Sequence, residues 1–267
     1  MPELPEVELT RRRLEQELVG KRIERVEVRT PKLRLPIPRE LATVLTGRTI
    51  RSVGRRGKYL LFDCDTGWLV IHLGMTGFLR HIPNPAAPGK HDHLDVCLTD
   101  GSVLRFHDPR KFGTVLWTTT DPMKHPLLAG IGPEPLTPDF DGEYLFRVSR
   151  SRRVAVKLLI MNAAMVAGVG NIYANEALFR AAIRPDRLAA SLSRSECERL
   201  ALTIREVLGE SIEQGSTYRV AEATVAYHPL EFAVYGRGKG SCTHCGGALE
   251  ETRLGNRSTV FCPICQR

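Results

Sequence analysis

Apolar and polar residues follow two rhythms along the chain. Residues 1–20 open with two prolines and then place Val7, Leu14 and Leu18 at helical spacing. From about residue 21 to residue 118 the pattern becomes short β-type runs: Arg22–Val28, Thr49–Val53, Tyr59–Asp63, Trp68–His72, Leu94–Leu98, Val103–Phe106 and Thr114–Thr118. Asp65-Thr66-Gly67 and Asp100-Gly101 mark turns between them. Many short strands at this spacing predict a sandwich or barrel. Residues 126–138, PLLAGIGPEPLTP, hold four prolines and two glycines and read as an interdomain linker. Beyond it the rhythm is helical, over Tyr144–Arg150, Arg153–Asn162, Ile172–Ala182 and Ser193–Glu213. Ser193 and Glu196 have the form of a capping box. The turn Gly168-Val169-Gly170 exposes backbone N–H groups between two of these helices. Residues 216–236 follow neither rhythm, and residues 237–267 form a compact cysteine-bearing tail.

No run approaches the ~18–20 apolar residues of a membrane span, and the start lacks the apolar stretch of a signal peptide. The expectation is a cytoplasmic protein with no membrane partner. The 267 residues are 42% hydrophobic and 25% charged, the composition of a folded chain and not of a disordered one. A net charge of +8 favours a polyanionic partner, nucleic acid before an anionic membrane surface. The balance is +6 over residues 1–133, −1 over 134–235 and +3 over 236–267, so the surplus sits at the two ends.

Four of the seven cysteines form Cys242-x2-Cys245-x16-Cys262-x2-Cys265. Paired CxxC turns at this separation fit one tetrahedral, structural Zn²⁺. A pair of disulfides or redox dithiols is the alternative, and the missing signal peptide weighs against it. A tail this short can hardly build its own core, so metal would supply its folding free energy. His244 reads as a surface residue beside a complete four-cysteine set, and Cys64, Cys97 and Cys197 as ordinary buried residues.

Met1-Pro2-Glu3-Leu4-Pro5-Glu6 is the most unusual stretch. Removal of Met1 would leave a secondary amine on Pro2. An α-amino group titrates near ~7.7–8.0, far below a lysine, so a usable fraction is nucleophilic at neutral pH. Amines attack sugar C1′ or carbonyl carbons to give Schiff bases, and Glu3 and Glu6 lie close enough in sequence to act as acid or base. The plainer reading is a Pro-Glu segment that only precedes a helix.

This start, the linker motif, Gly168-Val169-Gly170-Asn171-Ile172-Tyr173 and the terminal four-cysteine finger together resemble the bacterial formamidopyrimidine-DNA glycosylase family over essentially the whole chain. The resemblance implies an α+β multidomain protein. It would comprise an N-terminal catalytic β-sandwich over residues 1–131, a helix-two-turn-helix domain over 132–235 and a zinc finger over 236–267. It implies base-excision repair of double-stranded DNA by a monomer that removes an oxidised purine and nicks the abasic site by β,δ-elimination. By resemblance Pro2 is the Schiff-base nucleophile, Glu3 the acid that protonates sugar or base, and Glu6 a mainly structural carboxylate. Lys58 serves β-elimination or holds the lesion phosphate, and Arg257 is tied to δ-elimination. Met75, Arg110 and Phe112 resemble the family's void-filling triad, which an enzyme that everts a nucleotide requires. Lys157 and Asn171 resemble phosphate clamps, as Arg257 does, and His91 and Arg152 resemble further DNA contacts. The segment GSTYRVAEATVAYHPLEFA is shorter than the family's lesion-covering loop and has fewer glycines and lysines, which bears on the ranking of 8-oxoguanine against formamidopyrimidines; Ser216 to Arg219 are candidate lesion contacts. Two alternatives stand beside this reading. One is an endonuclease VIII-like enzyme preferring oxidised pyrimidines, and the other a non-catalytic zinc protein that recognises damaged DNA.

Overall fold

A computed structural model describes residues 2–215 and 231–267, in two compact units. The first unit takes residues 2–129. It opens with α1 (Leu4–Leu18), one turn earlier than the apolar spacing suggests. Pro5 sits in the first turn, where a helix needs no N–H, and Glu3 is the N-cap with Glu6 closing a capping box. Eight strands follow: β1 (Ile23–Val28), β2 (Ser52–Arg56), β3 (Tyr59–Asp63), β4 (Trp68–His72), β5 (Phe78–Ile82), β6 (Asp92–Leu98), β7 (Val103–His107) and β8 (Thr114–Thr118), with the short helix α2 (Leu41–Leu45) after β1.

These strands make two antiparallel four-stranded sheets, ordered β1-β6-β7-β5 and β2-β3-β4-β8. Val26, Leu79, Leu94, Leu104 and Phe106 of the first sheet and Leu60, Phe62, Leu69, Ile71 and Val115 of the second share one core with Val7, Leu14 and Leu18 of α1. The two sheets form the expected sandwich. The strand expected at Thr49–Val53 lies further on, over Ser52–Arg56; Thr49 makes only an isolated bridge to Arg22. Strand β5 departs from the sequence expectation. Its sequence FLRHI mixes polar and apolar side chains, and only its pairing with β7 makes it a strand.

The second unit takes residues 130–215 and 231–267. The linker stretch starts with one helical turn, α3 (Pro126–Ala129), at the end of the first unit. Then come α4 (Gly142–Ser149), α5 (Val156–Met161), α6 (Asn171–Arg180) and α7 (Arg194–Gln214). Ser193 and Glu196 cap α7 reciprocally, as the sequence predicts. Helices α4 and α7 cross closely: a Cβ on Gly142 would lie 2.5 Å from the Glu198 Cα. The cysteine tail carries the hairpin β9 (Glu250–Leu254) and β10 (Arg257–Phe261), whose few apolar residues pack with Phe179 of α6.

Candidate catalytic and nucleic-acid-binding site

In the first unit Pro2 and Glu3 are buried at the head of α1, Glu3 with 1% of its surface exposed. The Glu3 N–H donates to Glu6 Oε2 at 2.8 Å, so the Glu6 carboxylate holds the helix start and Glu3 is the carboxylate adjacent to Pro2. Lys58 stands at the tip of the β2–β3 hairpin. Arg56 pairs with Tyr59, which leaves Gly57-Lys58 as a two-residue turn with Gly57 at φ +55°. A left-handed glycine in the first turn position is the II′ arrangement that suits a twisted hairpin. Arg55 ties this turn to the helix: its Nε donates to Glu8 Oε2 at 2.9 Å and its Nη1 to the Gly57 carbonyl at 2.9 Å. Burial pushes the Glu8 carboxyl up, but hydrogen bonds from Arg11, Arg55 and Arg12 outweigh it and hold Glu8 below the usual carboxylate range.

His72 connects the Lys58 turn to the next loop. It pairs with Tyr59 across β3 and β4, the two rings 4.7 Å apart, and its Nδ1 accepts the Gly74 N–H at 3.0 Å. Burial, with the nearby charges of Lys58 and Arg34, pushes its pKa down to about 4. The imidazole is therefore neutral, with its proton on Nε2. The loop after His72 carries Met75, half-buried, and it abuts the loop carrying Arg110 and Phe112. Gly74 has φ +70°, and a Cβ there would lie 2.5 Å from the Phe112 carbonyl carbon, so glycine is required. Phe112 is 41% exposed, and the Arg110 guanidinium lies 4.6 Å from its ring centre. The three residues read as void fillers thus rise from two touching loops.

His91 is half-buried beside them, its ring edge-on to His107 at 5.8 Å, and its carbonyl accepts the Asp108 N–H. His93, two residues on, is engaged elsewhere. Its Nε2–H donates to the Asp108 carbonyl at 2.8 Å and its Nδ1 accepts from Thr30 Oγ1 at 2.9 Å.

In the second unit Asn171 opens α6, directly after the Gly-Val-Gly turn. Its side-chain oxygen is buried and makes no hydrogen bond. Arg257 follows a two-residue hairpin turn in which Gly255 and Asn256 have φ +54° and +59°. Both values fit a I′ turn, and Arg257 is exposed. Arg152 lies on the exposed turn after α4.

Lys157 departs from the expectation of a phosphate clamp. It is fully buried, and its Nζ donates to Thr259 Oγ1 at 2.7 Å, the Ser258 carbonyl at 2.8 Å and Asn175 Oδ1 at 3.3 Å. An ammonium taken from water needs such acceptors, and their geometry makes Lys157 a bolt between α5, α6 and the finger hairpin. Asn175 extends the junction, accepting the Val260 N–H at 3.1 Å and donating to the Asn171 carbonyl at 2.6 Å.

The four thiols of Cys242, Cys245, Cys262 and Cys265 lie within 4.8 Å of one another. The Cys242–Cys265 and Cys245–Cys262 sulfur pairs are 3.8 and 3.6 Å apart. Tetrahedral Zn–S bonds of about 2.3 Å put sulfurs about 3.8 Å apart, so the set fits one zinc ion with no open position. The backbone N–H groups of His244 and Cys265 point at Cys242 and Cys262 sulfurs, both at 3.4 Å. His244 is exposed, against Phe179, and is not in the cluster.

Sequence reasoning missed Glu8, Arg55, Asp108, Asn175 and Glu176. Glu176 is a buried carboxylate on α6 that accepts the N–H groups of Ala233, Val234 and Tyr235 at 2.8–3.0 Å. All five look like ordinary polar residues in one dimension; only their partners in the fold mark them, backbone groups for Asp108, Asn175 and Glu176, and arginine and glutamate side chains for Glu8 and Arg55. Ser216 to Arg219 lie outside the described residues.

Comparison with known proteins gives consistent matches along the chain. Residues 1–115 match the formamidopyrimidine-DNA glycosylase N-terminal domain, residues 131–222 its H2TH domain, and residues 242–267 a zinc finger found in FPG and IleRS. The chain is 78% identical over 266 residues to the formamidopyrimidine-DNA glycosylase of Geobacter metallireducens and 74% over 267 residues to that of Pelobacter propionicus, each covering 100% of both chains. Among solved structures, Lactococcus lactis Fpg bound to N7-benzyl-Fapy-dG DNA aligns with TM-score 0.92 and 37% identity over 100% of both chains. The same organism's formamidopyrimidine-DNA glycosylase bound to DNA with an abasic site aligns with TM-score 0.89 and 35% identity over 99% of both chains.

Proposed function

We propose a function from one premise: the chain belongs to the formamidopyrimidine-DNA glycosylase family. It is a bifunctional DNA glycosylase and abasic-site lyase of base-excision repair, acting on DNA that carries formamidopyrimidine-type lesions, and it holds one structural zinc. The observation that carries the catalytic reading is the N-terminus: Pro2 and Glu3 buried together at the head of α1, with Glu6 bound to the Glu3 N–H.

With Met1 removed, the Pro2 nitrogen is a secondary amine beside the positive end of a helix. That surrounding favours the uncharged amine over the ammonium. Its lone pair attacks C1′ of the lesion nucleotide as the glycosidic bond breaks. Glu3, the adjacent buried carboxyl, delivers a proton to the sugar or base, and ring opening leaves a Schiff base at C1′. Loss of the C2′ proton then expels the 3′ phosphate, and a second elimination expels the 5′ phosphate. Lys58, fixed to α1 through Arg55 and Glu8, serves the first elimination or holds the lesion phosphate. Arg257 at the finger tip serves the second. Asn171 offers its amide at a helix N-terminus, a site that favours phosphate, and His91 and Arg152 add contacts to the strand.

Met75, Arg110 and Phe112 fill the hole left by the everted nucleotide, the apolar pair as a wedge and the arginine toward the widowed base. Lys157 acts from within, as the bolt that sets the finger hairpin on α5 and α6. Among the described residues no helix is long and apolar enough to cross a membrane. We place the enzyme in the cytoplasm with the chromosome, working as a monomer.

Duplexes with a single formamidopyrimidine, 8-oxoguanine or thymine glycol, each opposite its normal partner, test the substrate reading. The two purine lesions should be released faster than thymine glycol. Faster release of thymine glycol would overturn the purine assignment in favour of an endonuclease VIII-like enzyme.

A further inference from the structure

We propose that Asp108 is the positioning residue for the wedge, locking the loop of Met75 and the loop of Arg110 and Phe112 into one rigid piece. The proposal rests on the reading of those three residues as void fillers. Asp108 follows β7 and is fully buried. Its Oδ2 accepts the Gly113 N–H at 2.7 Å, and its Oδ1 accepts the Thr76 hydroxyl at 3.0 Å and the Arg110 N–H at 3.3 Å. One carboxylate therefore closes the 108–113 loop at both ends. It also grips the residue next to Met75 in the other loop. Its own backbone is held in turn, the carbonyl accepting from His93 Nε2 and from the Lys111 N–H.

The closure imposes an unusual backbone. Lys111 sits at φ +56°, a left-handed conformation that costs a side-chain-bearing residue energy and persists only where the surroundings over-determine it. That bend precedes Phe112, which remains 41% exposed on the protein alone. An exposed aromatic ring would gain by folding back onto the sandwich. A backbone pinned from below keeps it raised, so that little ordering cost is left for the moment of insertion. The close approach of Gly74 to the Phe112 backbone shows, independently of Asp108, that the two loops pack as one piece. An amide that keeps its oxygen on the Gly113 N–H turns its NH2 toward the other side, where the Thr76 hydroxyl can reverse to accept but the Arg110 N–H is left facing a donor.

Single-turnover rates on two substrates test this. The first is 8-oxoguanine opposite cytosine in a duplex, which requires the void to be filled. The second is an abasic site in a single strand, which has no void. Asp108→Asn should slow duplex excision by about tenfold or more and change single-strand nicking by less than about twofold, the penalty expected when a wedge is misplaced with the chemistry intact. Thr76→Val should shift the same ratio in the same direction by less. Met75→Ala and Phe112→Ala serve as the reference. If they slow duplex excision while Asp108→Asn does not, or slows both substrates alike, the positioning role fails and the wedge reading stands. If Met75→Ala and Phe112→Ala leave duplex excision unchanged, the wedge reading fails and the proposal with it.

Discussion

His72 shows how a single residue can be placed by chemistry that its neighbours impose. Burial next to Lys58 and Arg34 pushes it down to about 4, against an ordinary value near ~6.5 in the unfolded chain. Between those two values the unfolded chain takes up a proton that the folded chain refuses. Stability from this residue is therefore full above about pH 6.5 and is lost as pH falls toward 4. Glu8, Asp92 and Asp95 have their carboxyls held low, so their contribution disappears only at still lower pH. We expect His72→Asn, whose side-chain oxygen can accept the Gly74 N–H, to flatten the thermal stability between pH 6.5 and 5 relative to wild type. An unchanged slope over that window would show that His72 is not the titrating group. The sequence displays a histidine next to Leu73-Gly74-Met75; it does not display the lysine and arginine that the fold brings beside it.

At the scale of elements, the finger hairpin depends on helices for what its own residues cannot supply. Its apolar side chains form a small cluster completed by Phe179 of α6, and Lys157 bonds the hairpin from inside. Lys157→Met would keep the apolar stem and leave the Thr259 hydroxyl and the Ser258 carbonyl without this donor, while Asn175 Oδ1 keeps the Val260 N–H, at about 1–3 kcal/mol for each buried polar group left unpaired. We expect a lower melting temperature and faster zinc loss to a chelator, while the four-cysteine set stays complete. Wild-type behaviour in both would remove Lys157 from a structural role. Zinc ligation is legible in the sequence because CxxC pairs carry their geometry in their spacing. Three strands, at Tyr59–Asp63, Trp68–His72 and Thr114–Thr118, are legible because apolar runs end in turn residues. Strand β5 is not, since its alternation is broken by Arg80 and His81 and its identity comes from pairing with β7. Lys157 misleads for a related reason: a lysine looks like a surface charge until its acceptors, 101 and 102 residues away, are folded onto it.

At the scale of the whole molecule, the surplus of +8 is concentrated in the residues of the sandwich and the finger. A uniform positive field would explain affinity for DNA and nothing else. Here some of the charge is consumed internally, as where Arg105 and Arg29 both serve the buried Asp95. On the function proposed above, the chemistry comes from an amine at the start of the chain, seated by a capped helix whose Glu8 is bonded to Arg55 of the Lys58 hairpin. The most direct test of that claim is borohydride trapping on a duplex carrying one 8-oxoguanine opposite cytosine, followed by mass mapping of the adduct. The account predicts a covalent adduct on the nitrogen of Pro2 in chains that have lost Met1, and none on chains that retain it. An adduct on Lys58 or another lysine, or efficient strand cleavage by chains that keep Met1, would contradict it.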